Sequence, residues 1–380
     1  MKAILIMFHC RSGAGYAIDA LFPTFYEMAQ KLVRDEKIHI SFTGLDECTG
    51  NINFQDYENL IEFEPATKQR SKLEFIEQYI RKNEIDVVFG FDQPAKQLSY
   101  KYLRKGGVKK IISYWGAPMS DLNTGIKLKL KQLGMLFSKN SPDHYIFESM
   151  IMAKSAYAGR GINKQKVSVV HLGVDTDEFH PVKEDMSYAH ATFKIPKERK
   201  IIYYSGHMEE RKGVAVLLRA AQQLYEVCNR RDFHFLLLGN QHGEEVALLD
   251  KLGTTKAKEH ITFGGYRTDV KNIIPCCYAG AIASTGWDSF TMSSLEMASC
   301  GLPLMVSNLQ GLAETVDDKI TGFLFSPGNH GQLSEHICNL LDDPSMKDNM
   351  SKNARRRIME GFTRDHQISR LTATVRSVID

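Results

Sequence analysis

The chain has no surplus of charge of either sign. Its 380 residues carry 48 Lys and Arg side chains against 45 Asp and Glu side chains, which gives a formal net charge of +3. Proteins that depend on the phosphate backbone of nucleic acid need a concentrated positive field, which a nearly neutral chain does not make. We therefore expect no nucleic-acid partner.

Metal-type cysteine spacing and long apolar runs are absent as well. The seven cysteines include no Cys-x-x-Cys pair, and several lie in apolar runs, where free cysteine behaves as a small buried hydrophobe. No apolar run approaches the ~18 residues that a membrane-spanning helix needs, and the first ten residues, MKAILIMFHC, show no cleavage pattern. These absences predict reduced thiols and a cytoplasmic protein.

The chain does contain two series of strand-like apolar runs that alternate with helical periodicity. This alternation favours parallel sheets with helices on both faces. A polar stretch near residue 185 separates the series, so we predict two doubly wound α/β domains, residues 1–185 and 186–362, with a C-terminal helix at about 363–380 that packs back on the first. In the first helix, Pro23 should reset the first turn. The predicted strands span residues 3–8, 39–43, 86–91, 110–114, 144–147, 167–171, 200–204, 233–238, 261–263, 279–284, 304–307 and 322–325.

The stretch WDSFTMSSLEMASCG, residues 287–301, leads from a predicted strand into a helix and carries two carboxylates, Asp288 and Glu296. The start of that helix offers unpaired backbone N–H groups and the positive end of the helix dipole, which together attract phosphate. Three hydroxyl side chains between residues 291 and 294 add hydrogen-bond donors. The alternative is a capping box, in which Glu296 only reaches back to Ser293 at its own helix start.

A second loop, YSGHMEERKG at residues 204–213, follows the first strand of the second series and leads into a helical pattern. It places a flat guanidinium, Arg211, beside a compact ammonium, Lys212, and this pair suits a diphosphate. The alternative is a solvated surface, because two glutamates precede the two cations.

A third loop, CRSGAG at residues 10–15, follows the first predicted strand. A dinucleotide fingerprint would need a third glycine where Ile18 stands. Gly13 and Gly15 therefore predict only a tight turn that gives a ligand access to the backbone.

In the order of these segments, the chain resembles the retaining glycosyltransferases of family four over nearly its whole length. Residues 167–181, VSVVHLGVDTDEFHP, are similar to the family's strand that ends in Asn-Gly-Val-Asp, with Phe and Pro a few residues on. Residues 205–213 are similar to its donor loop, in which Lys212 and Gly213 match the most recurrent pair. Residues 287–301 resemble its paired-acid motif.

The resemblance implies the GT-B fold, with two facing Rossmann-like domains and an interdomain cleft that holds a nucleotide sugar. It implies that Glu296 binds the ribose hydroxyls, and that Asp288, Arg211 and Lys212 are catalytic: Asp288 contacts sugar hydroxyls while the two cations hold the diphosphate. It also implies a retaining transfer without a metal or another cofactor. The candidate donor-binding residues are Gly206, His207, Ser289, Phe290, Thr291, Met292, Ser293, Glu296, Gly13 and Gly15.

The acceptor is expected on the first domain, where Tyr16, Tyr114 and Trp115 are the candidate binding residues. Their rings can stack on a sugar face, although packing in the core is the alternative use. Tyr114 and Trp115 stand where the family frequently has a histidine. Asp288 is one methylene shorter than the usual glutamate. These departures leave the sugar and the acceptor geometry open.

Residues 101–139 are the one locally basic segment, because they contain nine Lys and Arg side chains and only one acid, Asp121. Apolar residues at helical spacing alternate there with lysines, a pattern typical of a helix that lies on an anionic membrane. A helix with a solvated face is the alternative. The cations are Lys101, Arg104, Lys105, Lys109, Lys110, Lys127, Lys129, Lys131 and Lys139.

We therefore expect a cytoplasmic enzyme, at the inner face of the membrane, that transfers a hexose from a nucleotide sugar to a hydroxyl acceptor. The family favours a UDP-sugar, with GDP left open, and an acceptor that is a glycan, glycolipid or lipid-linked saccharide in cell-surface polysaccharide or glycoconjugate synthesis. The alternatives are an epimerase or phosphorylase on the same fold, or a catalytically silent subunit that binds nucleotide sugar.

Overall fold

A computed structural model of the chain describes residues 1–13, 15–45, 56–136, 138, 140–182 and 187–380. The chain forms two compact units. The first contains Met1–His171 and Asp365–Asp380, and the second contains Leu172–Arg364. The predicted boundary near residue 185 lies outside the described residues, and the units divide earlier, between residues 171 and 172.

The first unit is built on a seven-stranded parallel sheet of order β3-β2-β1-β4-β5-β6-β7. The central strand β1 is paired on both sides, since Ile4 lies opposite Ile38 of β2 and Val87 of β4. All four residues of β1 are buried, as expected for a parallel strand covered on both faces. The strands are β1 (Ile4–Met7), β2 (Ile38–Phe42), β3 (Leu60–Glu62), β4 (Val87–Phe91), β5 (Lys110–Trp115), β6 (His144–Phe147) and β7 (Val167–Val169).

The second unit is built on a six-stranded parallel sheet of order β10-β9-β8-β11-β12-β13. Its core lies between this sheet and flanking helices, with Leu217 and Leu224 among the fully buried side chains. The strands are β8 (Lys200–Ser205), β9 (Phe233–Leu238), β10 (Ile261–Phe263), β11 (Ala279–Ile282), β12 (Leu304–Ser307) and β13 (Gly322–Phe325).

Helices cover these sheets. No helix in the described part of the chain is long and apolar enough to cross a bilayer. The helices are α1 (Tyr16–Gln30), α2 (Arg70–Lys82), α3 (Ser99–Gly106), α4 (Gly125–Leu136), α5 (Met150–Lys154), α6 (Tyr188–Phe193), α7 (Val214–Glu226), α8 (Glu244–Asp250), α9 (Val270–Ile273), α10 (Met292–Ser299), α11 (Gln310–Ala313), α12 (His330–Asp342), α13 (Pro344–Gly361) and α14 (Arg364–Ile379).

The direction of winding reverses once in each sheet. In the first sheet the reversal lies between β1 and β4, and in the second it lies between β8 and β11. Connections from the two neighbouring strands then leave on opposite sides, which opens a crevice at their carboxyl ends. The loops after β8 and β11 are the two that carry the sequence-predicted cations and carboxylates.

One expectation about helix α1 is wrong. The helix runs without interruption from Tyr16 to Gln30, with Pro23 in its interior. The side chains on either side of the proline explain why: Phe22 and Phe25 are fully buried and pack against Phe8. Packing of this aromatic cluster therefore outweighs the loss of one backbone hydrogen bond at the proline.

Candidate functional site

The loops after β8 and β11 are joined by an ion pair between Lys212 and Asp288. The Lys212 ammonium lies 3.0 Å from Oδ1 and 3.1 Å from Oδ2 of the carboxylate. The two side chains are 17% and 4% exposed, so the pair is largely shielded from water. Lys212 and Asp288 are 76 residues apart in the sequence, and the fold brings their charges into contact at the switch point of the sheet.

The carboxylate of Asp288 is held in place by further hydrogen bonds. The Ser284 hydroxyl donates to Oδ2 at 2.6 Å, and the Ser289 amide donates to Oδ1 at 3.0 Å. The backbone N–H of Asp288 donates to the side chain of Gln310 at 3.2 Å. With its oxygens engaged by one cation and two neutral donors, the carboxylate is fixed in orientation.

Arg211 fixes the outer edge of the same loop pair. Its guanidinium lies 4.2 Å from the centre of the Trp287 ring and donates to the Trp287 carbonyl at 3.2 Å. It also forms an ion pair of 2.6 Å with Glu209. The backbone carbonyl of Arg211 accepts from the amides of Thr285 and Gly286 at 2.7 and 3.1 Å. These contacts hold the two loops at a fixed spacing.

Gly213 makes the close approach of the two loops possible. Its φ of +69° lies in the left-handed region, and a Cβ built there would lie 1.8 Å from the Ala283 carbonyl oxygen. Only glycine meets both conditions without displacing the backbone. The Lys-Gly pair that the sequence singled out thus has a structural cause: the glycine lets the preceding cation reach the end of β11.

Helix α10 begins at Met292, and Thr291 occupies the N-cap position with an extended backbone. The Thr291 side chain caps no backbone N–H, and its hydroxyl instead lies 2.5 Å from the Ser294 hydroxyl. A capping box would need Ser293 at the N-cap, but Ser293 lies inside the first turn. The capping-box alternative for Glu296 is therefore wrong, because Glu296 lies at the fifth helical position.

Glu296 is buried, with 3% of its surface exposed. Burial first, and then the charge of Glu296, raise the pKa of the Cys300 thiol. Burial is also the main cause that raises the pKa of the Tyr203 hydroxyl well above its usual value, and the Glu296 charge contributes. The carboxylate thus lies on the inner side of α10, near the end of β8.

The other predicted donor-binding residues differ in how deeply they are buried and in what they contact. Phe290 is buried and stacks on Phe362, so its side chain belongs to the core. Gly206 lies under the Tyr204 ring, and the Tyr204 hydroxyl donates to the carbonyl of the exposed His207 at 2.8 Å. The side chains that are half-buried at the start of α10 are Thr291, Met292 and Ser293.

In the first unit, Tyr114 is fully buried. Its ring packs edge-on against Phe25 at 5.0 Å between centroids, and burial raises its pKa well above the usual value. Core packing, the alternative for this ring, therefore describes Tyr114 better than stacking on a sugar. Trp115 is half-buried and donates its indole N–H to the Gln93 carbonyl at 3.1 Å.

The glycine-rich loop after β1 leads into α1. Gly15 is the N-cap of the helix, with a φ of +114°, and a Cβ there would meet no atom within 4 Å. Its carbonyl accepts from the Ile18 amide at 3.0 Å. Gly13 lies before this cap and Tyr16 is the first residue of the helix. Residue 14, in the middle of the predicted tight turn, lies outside the described residues, so the turn and the binding roles of Gly13, Gly15 and Tyr16 stay predictions.

Asp92 is a candidate functional residue that the sequence analysis did not predict. It follows β4 in a left-handed conformation with φ of 50°, and its N–H donates to the Tyr114 carbonyl at 2.7 Å. Its carboxylate accepts from the Gly116 amide at 2.9 Å, beside the buried Glu148. Burial raises the pKa of Asp92 to about 6 despite that hydrogen bond. The available signal was a polar residue directly after a predicted buried strand.

Comparison with known proteins shows what the second unit is similar to. The model of the family "Glycosyl transferases group 1" matches residues 187–357. The matched residues contain both loops of the site, and the predicted resemblance to family four is confirmed.

Curated relatives match about half of the chain. The D-inositol 3-phosphate glycosyltransferase of Mycolicibacterium smegmatis is 27% identical over 222 residues, which is 56% of this chain and 48% of the relative. The enzyme of the same name from Mycobacterium bovis is 27% identical over 221 residues, 56% of this chain and 44% of the relative. The chain thus spans about half the length of the curated relatives it matches.

Solved structures match the whole chain. A glycosyltransferase from Rickettsia africae has a TM-score of 0.82 at 18% identity and covers 100% of this chain and 99% of its own. The Anabaena protein HepE in complex with UDP has a TM-score of 0.76 at 18% identity over 99% of this chain and 100% of its own. HepE has also been solved with UDP-glucose, with a TM-score of 0.74 at 16% identity over 98% and 99%. The fold of this chain is GT-B, as predicted.

Proposed function

We propose that the chain is a retaining glycosyltransferase that moves a hexose from a nucleotide sugar to a hydroxyl acceptor. One observation carries this proposal: Lys212 and Asp288, from the two predicted donor segments, meet in a shielded pair at the switch point of a unit that matches the family glycosyl transferases group 1. Ligands of open parallel sheets bind outside the carboxyl ends of the strands at that point.

The donor diphosphate lies between the Arg211–Lys212 loop and the amides that open α10. Cations and helix-terminal N–H groups both bind phosphate, and each charge-assisted hydrogen bond contributes roughly 1.5 to 3 kcal/mol when shielded. Lys212 then transfers part of its contact from Asp288 to phosphate. Asp288, released from that contact, accepts hydrogen bonds from hydroxyls of the sugar.

The nucleoside lies further along α10, where Glu296 accepts from the ribose hydroxyls. The burial of Glu296 on α10 and the failure of the capping-box alternative support this assignment, because the carboxylate follows the helix start at which the diphosphate is proposed to bind. The HepE complexes with UDP and UDP-glucose support a UDP-sugar as the donor.

Bond breaking builds negative charge on the departing diphosphate and positive charge on the sugar carbon. Fixed cations and amides that strengthen their contacts as this charge develops lower the barrier. The acceptor oxygen attacks from the face that the diphosphate leaves, and the acceptor proton passes to the donor phosphate, so the configuration at the sugar carbon is retained. We assign no protein nucleophile, cofactor or metal to this step.

The first unit binds the acceptor, which is a glycan, a glycolipid or a lipid-linked saccharide used in cell-surface polysaccharide or glycoconjugate synthesis. Trp115, half-buried at the end of β5, offers an aromatic edge, and Asp92 offers a carboxylate at the same end of the sheet. The loop from Gly13 to Tyr16 supplies backbone contacts. With such acceptors, the protein works at the inner face of the membrane.

A second candidate function is a subunit that binds nucleotide sugar without turnover. The Lys212–Asp288 pair favours it, because Asp288 occupies the cation that would stabilise the leaving group. The burial of Tyr114, where the family frequently has a histidine, favours it as well.

The experiment that tests the proposal incubates the protein with UDP-glucose, UDP-galactose and their GDP counterparts, with and without EDTA, and measures nucleotide release and product anomers by NMR. We expect UDP release with retained configuration. Glu296→Gln should weaken donor binding by about 1 to 3 kcal/mol, while Glu335→Gln, an exposed control on α12, should not. Donor binding without transfer or hydrolysis would establish the silent subunit instead, and inversion would contradict the mechanism.

A further inference from the structure

Helix α4 of the first unit exposes its apolar side chains instead of burying them. None of its described residues is buried. Four exposed apolar residues follow one another at spacings of three and four and so form a continuous stripe along the helix. Isolated leucines on a protein surface do not form such a stripe. The exposed fractions are 78% for Ile126, 65% for Leu130, 51% for Leu133 and 78% for Leu136.

Polar and backbone contacts, together with Met135 packed against a buried apolar cluster, hold α4 on the protein. The Lys131 ammonium donates to the Gly159 carbonyl at 3.0 Å and contacts the Ser120 hydroxyl at 3.2 Å. The backbone of α4 also packs on Gly161, where a Cβ would lie 2.6 Å from the Gln132 nitrogen. The apolar stripe of α4 is thus largely exposed, whereas a typical surface helix buries such a stripe against its own unit.

The surroundings of the stripe are positively charged. Residues 122–142 contain no acidic side chain. In the described part of the chain, no ion pair involves Lys127, Lys129, Lys164 or Lys166. Among the described residues, no acidic side chain therefore offsets these four ammonium groups.

A cavity of about 680 Å³ opens beside the stripe. Leu133 and Leu136 of α4 line one side, and Lys129, Lys164 and Lys166 line it as well. The hydroxyl of Tyr145, another lining residue, is buried and has no hydrogen-bond partner among the described residues. An apolar wall, three cations and one unsatisfied hydroxyl suit an anionic amphiphile.

We propose that α4 docks on an anionic phospholipid bilayer and that the cavity receives one phospholipid, with its phosphate at the lysines and its acyl chain along Leu133 and Leu136. This inference deepens the membrane location proposed above and rests on it. A bilayer has an apolar interior beneath an anionic surface. The apolar stripe matches the interior, and the lysines that flank it match the surface. Lysines beside the stripe reach the headgroups with their extended stems.

The charges argue against a second copy of this chain as the occupant. Two α4 faces brought together would set the lysines of one against those of the other, and like charges in contact repel. An acidic protein would satisfy the lysines, but it would have to supply a matching apolar ridge and a chain for the cavity. The bilayer supplies all three features at once.

The docking test is cosedimentation of the full chain with vesicles of phosphatidylcholine, with and without phosphatidylglycerol, at low and high salt. We expect binding only to the anionic vesicles, weakened by salt. Ile126→Ser with Leu130→Ser should reduce it by at least about tenfold, since two apolar side chains leave the bilayer, and Lys127→Ala by about fivefold. Val246→Ser and Lys251→Ala, exposed positions in and after α8, are the matched controls and should bind as the parent does.

The cavity test uses monomeric dihexanoyl phosphatidylglycerol as a ligand in thermal unfolding. It should raise Tm in the parent and in the control Lys256→Glu, and should fail to do so in Lys164→Glu. Equal protection by inorganic phosphate would overturn the lipid assignment. Equal binding of the parent to neutral vesicles, or no binding to either kind, would overturn the docking face. The Tm increase caused by UDP should be unchanged in every α4 variant, so a failure of donor binding is recognised separately.

Discussion

At the scale of single residues, the most informative contact is the one between Lys212 and Asp288. A sequence comparison assigns one residue to phosphate and the other to sugar, whereas the structure pairs them at 3.0 Å with little exposure. Removing one partner of a shielded pair leaves an uncompensated charge, which costs about 3 to 5 kcal/mol in buried cases. A single substitution of Lys212 or Asp288 therefore changes both the stability and the catalysis of the protein. A double variant is needed to separate the two effects.

Lys212→Ala should lower the free energy of unfolding, because Asp288 then keeps a buried charge with no cation. It should also lower turnover more than donor affinity, because the ammonium acts on leaving-group charge. Lys212→Ala with Asp288→Asn should recover stability without recovering turnover. Urea unfolding and steady-state kinetics check both. Parent-like kinetics in Lys212→Ala would remove this lysine from the mechanism.

Asp92 gives a pH prediction. Its folded pKa of about 6 is above the ordinary value of 3.8, so the folded chain binds the proton more tightly than the unfolded chain does. Ionisation of Asp92 therefore costs stability: the cost is absent below the unfolded pKa, grows between about pH 4 and pH 6, and is complete above. Asp92→Asn should be more stable than the parent at pH 7 and equal to it near pH 4, by urea unfolding at both pH values. A constant difference across this range would contradict the assignment.

At the scale of elements, the loops after β8 and β11 depend on one glycine. Gly213→Ala would force a Cβ against the Ala283 carbonyl at a left-handed φ of +69°. We expect a loss of at least about 3 kcal/mol, because strain and a backbone clash add. Gly243→Ala is the control, since its φ of +93° is also left-handed but its Cβ would meet nothing within 4 Å. It should cost about 1 kcal/mol. Similar losses in urea unfolding would contradict the close approach.

The sequence predicted most elements because buried parallel strands are continuous apolar runs. Twelve of the thirteen described strands overlap predicted ones, and β6, β9, β10, β12 and β13 have the predicted bounds. The missed strand, β3, is three residues long and has no buried residue, so it has no such run. The prediction for Pro23 was wrong because local helix propensity does not include the packing of the aromatic cluster around the proline.

The candidate site was predictable only in part. Arg211, Lys212 and Asp288 could be singled out, because a cationic loop and a helix start follow predicted strands. Their mutual contact could not, since it depends on the strand order that makes β8 and β11 neighbours. Asp92 escaped for a similar reason: its raised pKa comes from burial, which no local pattern reveals.

At the scale of the whole molecule, the site loops belong entirely to the second unit, residues 172–364. Nucleotide binding should therefore raise its unfolding temperature. A ligand at 100 times its dissociation constant adds about 2.7 kcal/mol, which is roughly 5 to 10 °C for a unit of this size. Differential scanning calorimetry with UDP, GDP, ADP and dTDP checks this. We expect the largest increase with UDP, and no increase with any nucleotide would contradict the donor site.

The two units also differ in how the chain builds them. The second is one continuous segment, whereas the first needs Asp365–Asp380 to complete it. Within that segment α14 buries Ile368, Leu371 and Val375, and Arg376 donates to the Lys31 carbonyl at 2.9 Å. During synthesis the first unit therefore cannot be completed until residues 365–380 have been made, after the whole of the second unit. A premature stop codon shortly before residue 365 would remove α14, leave the apolar face of the first unit exposed and favour aggregation of the protein.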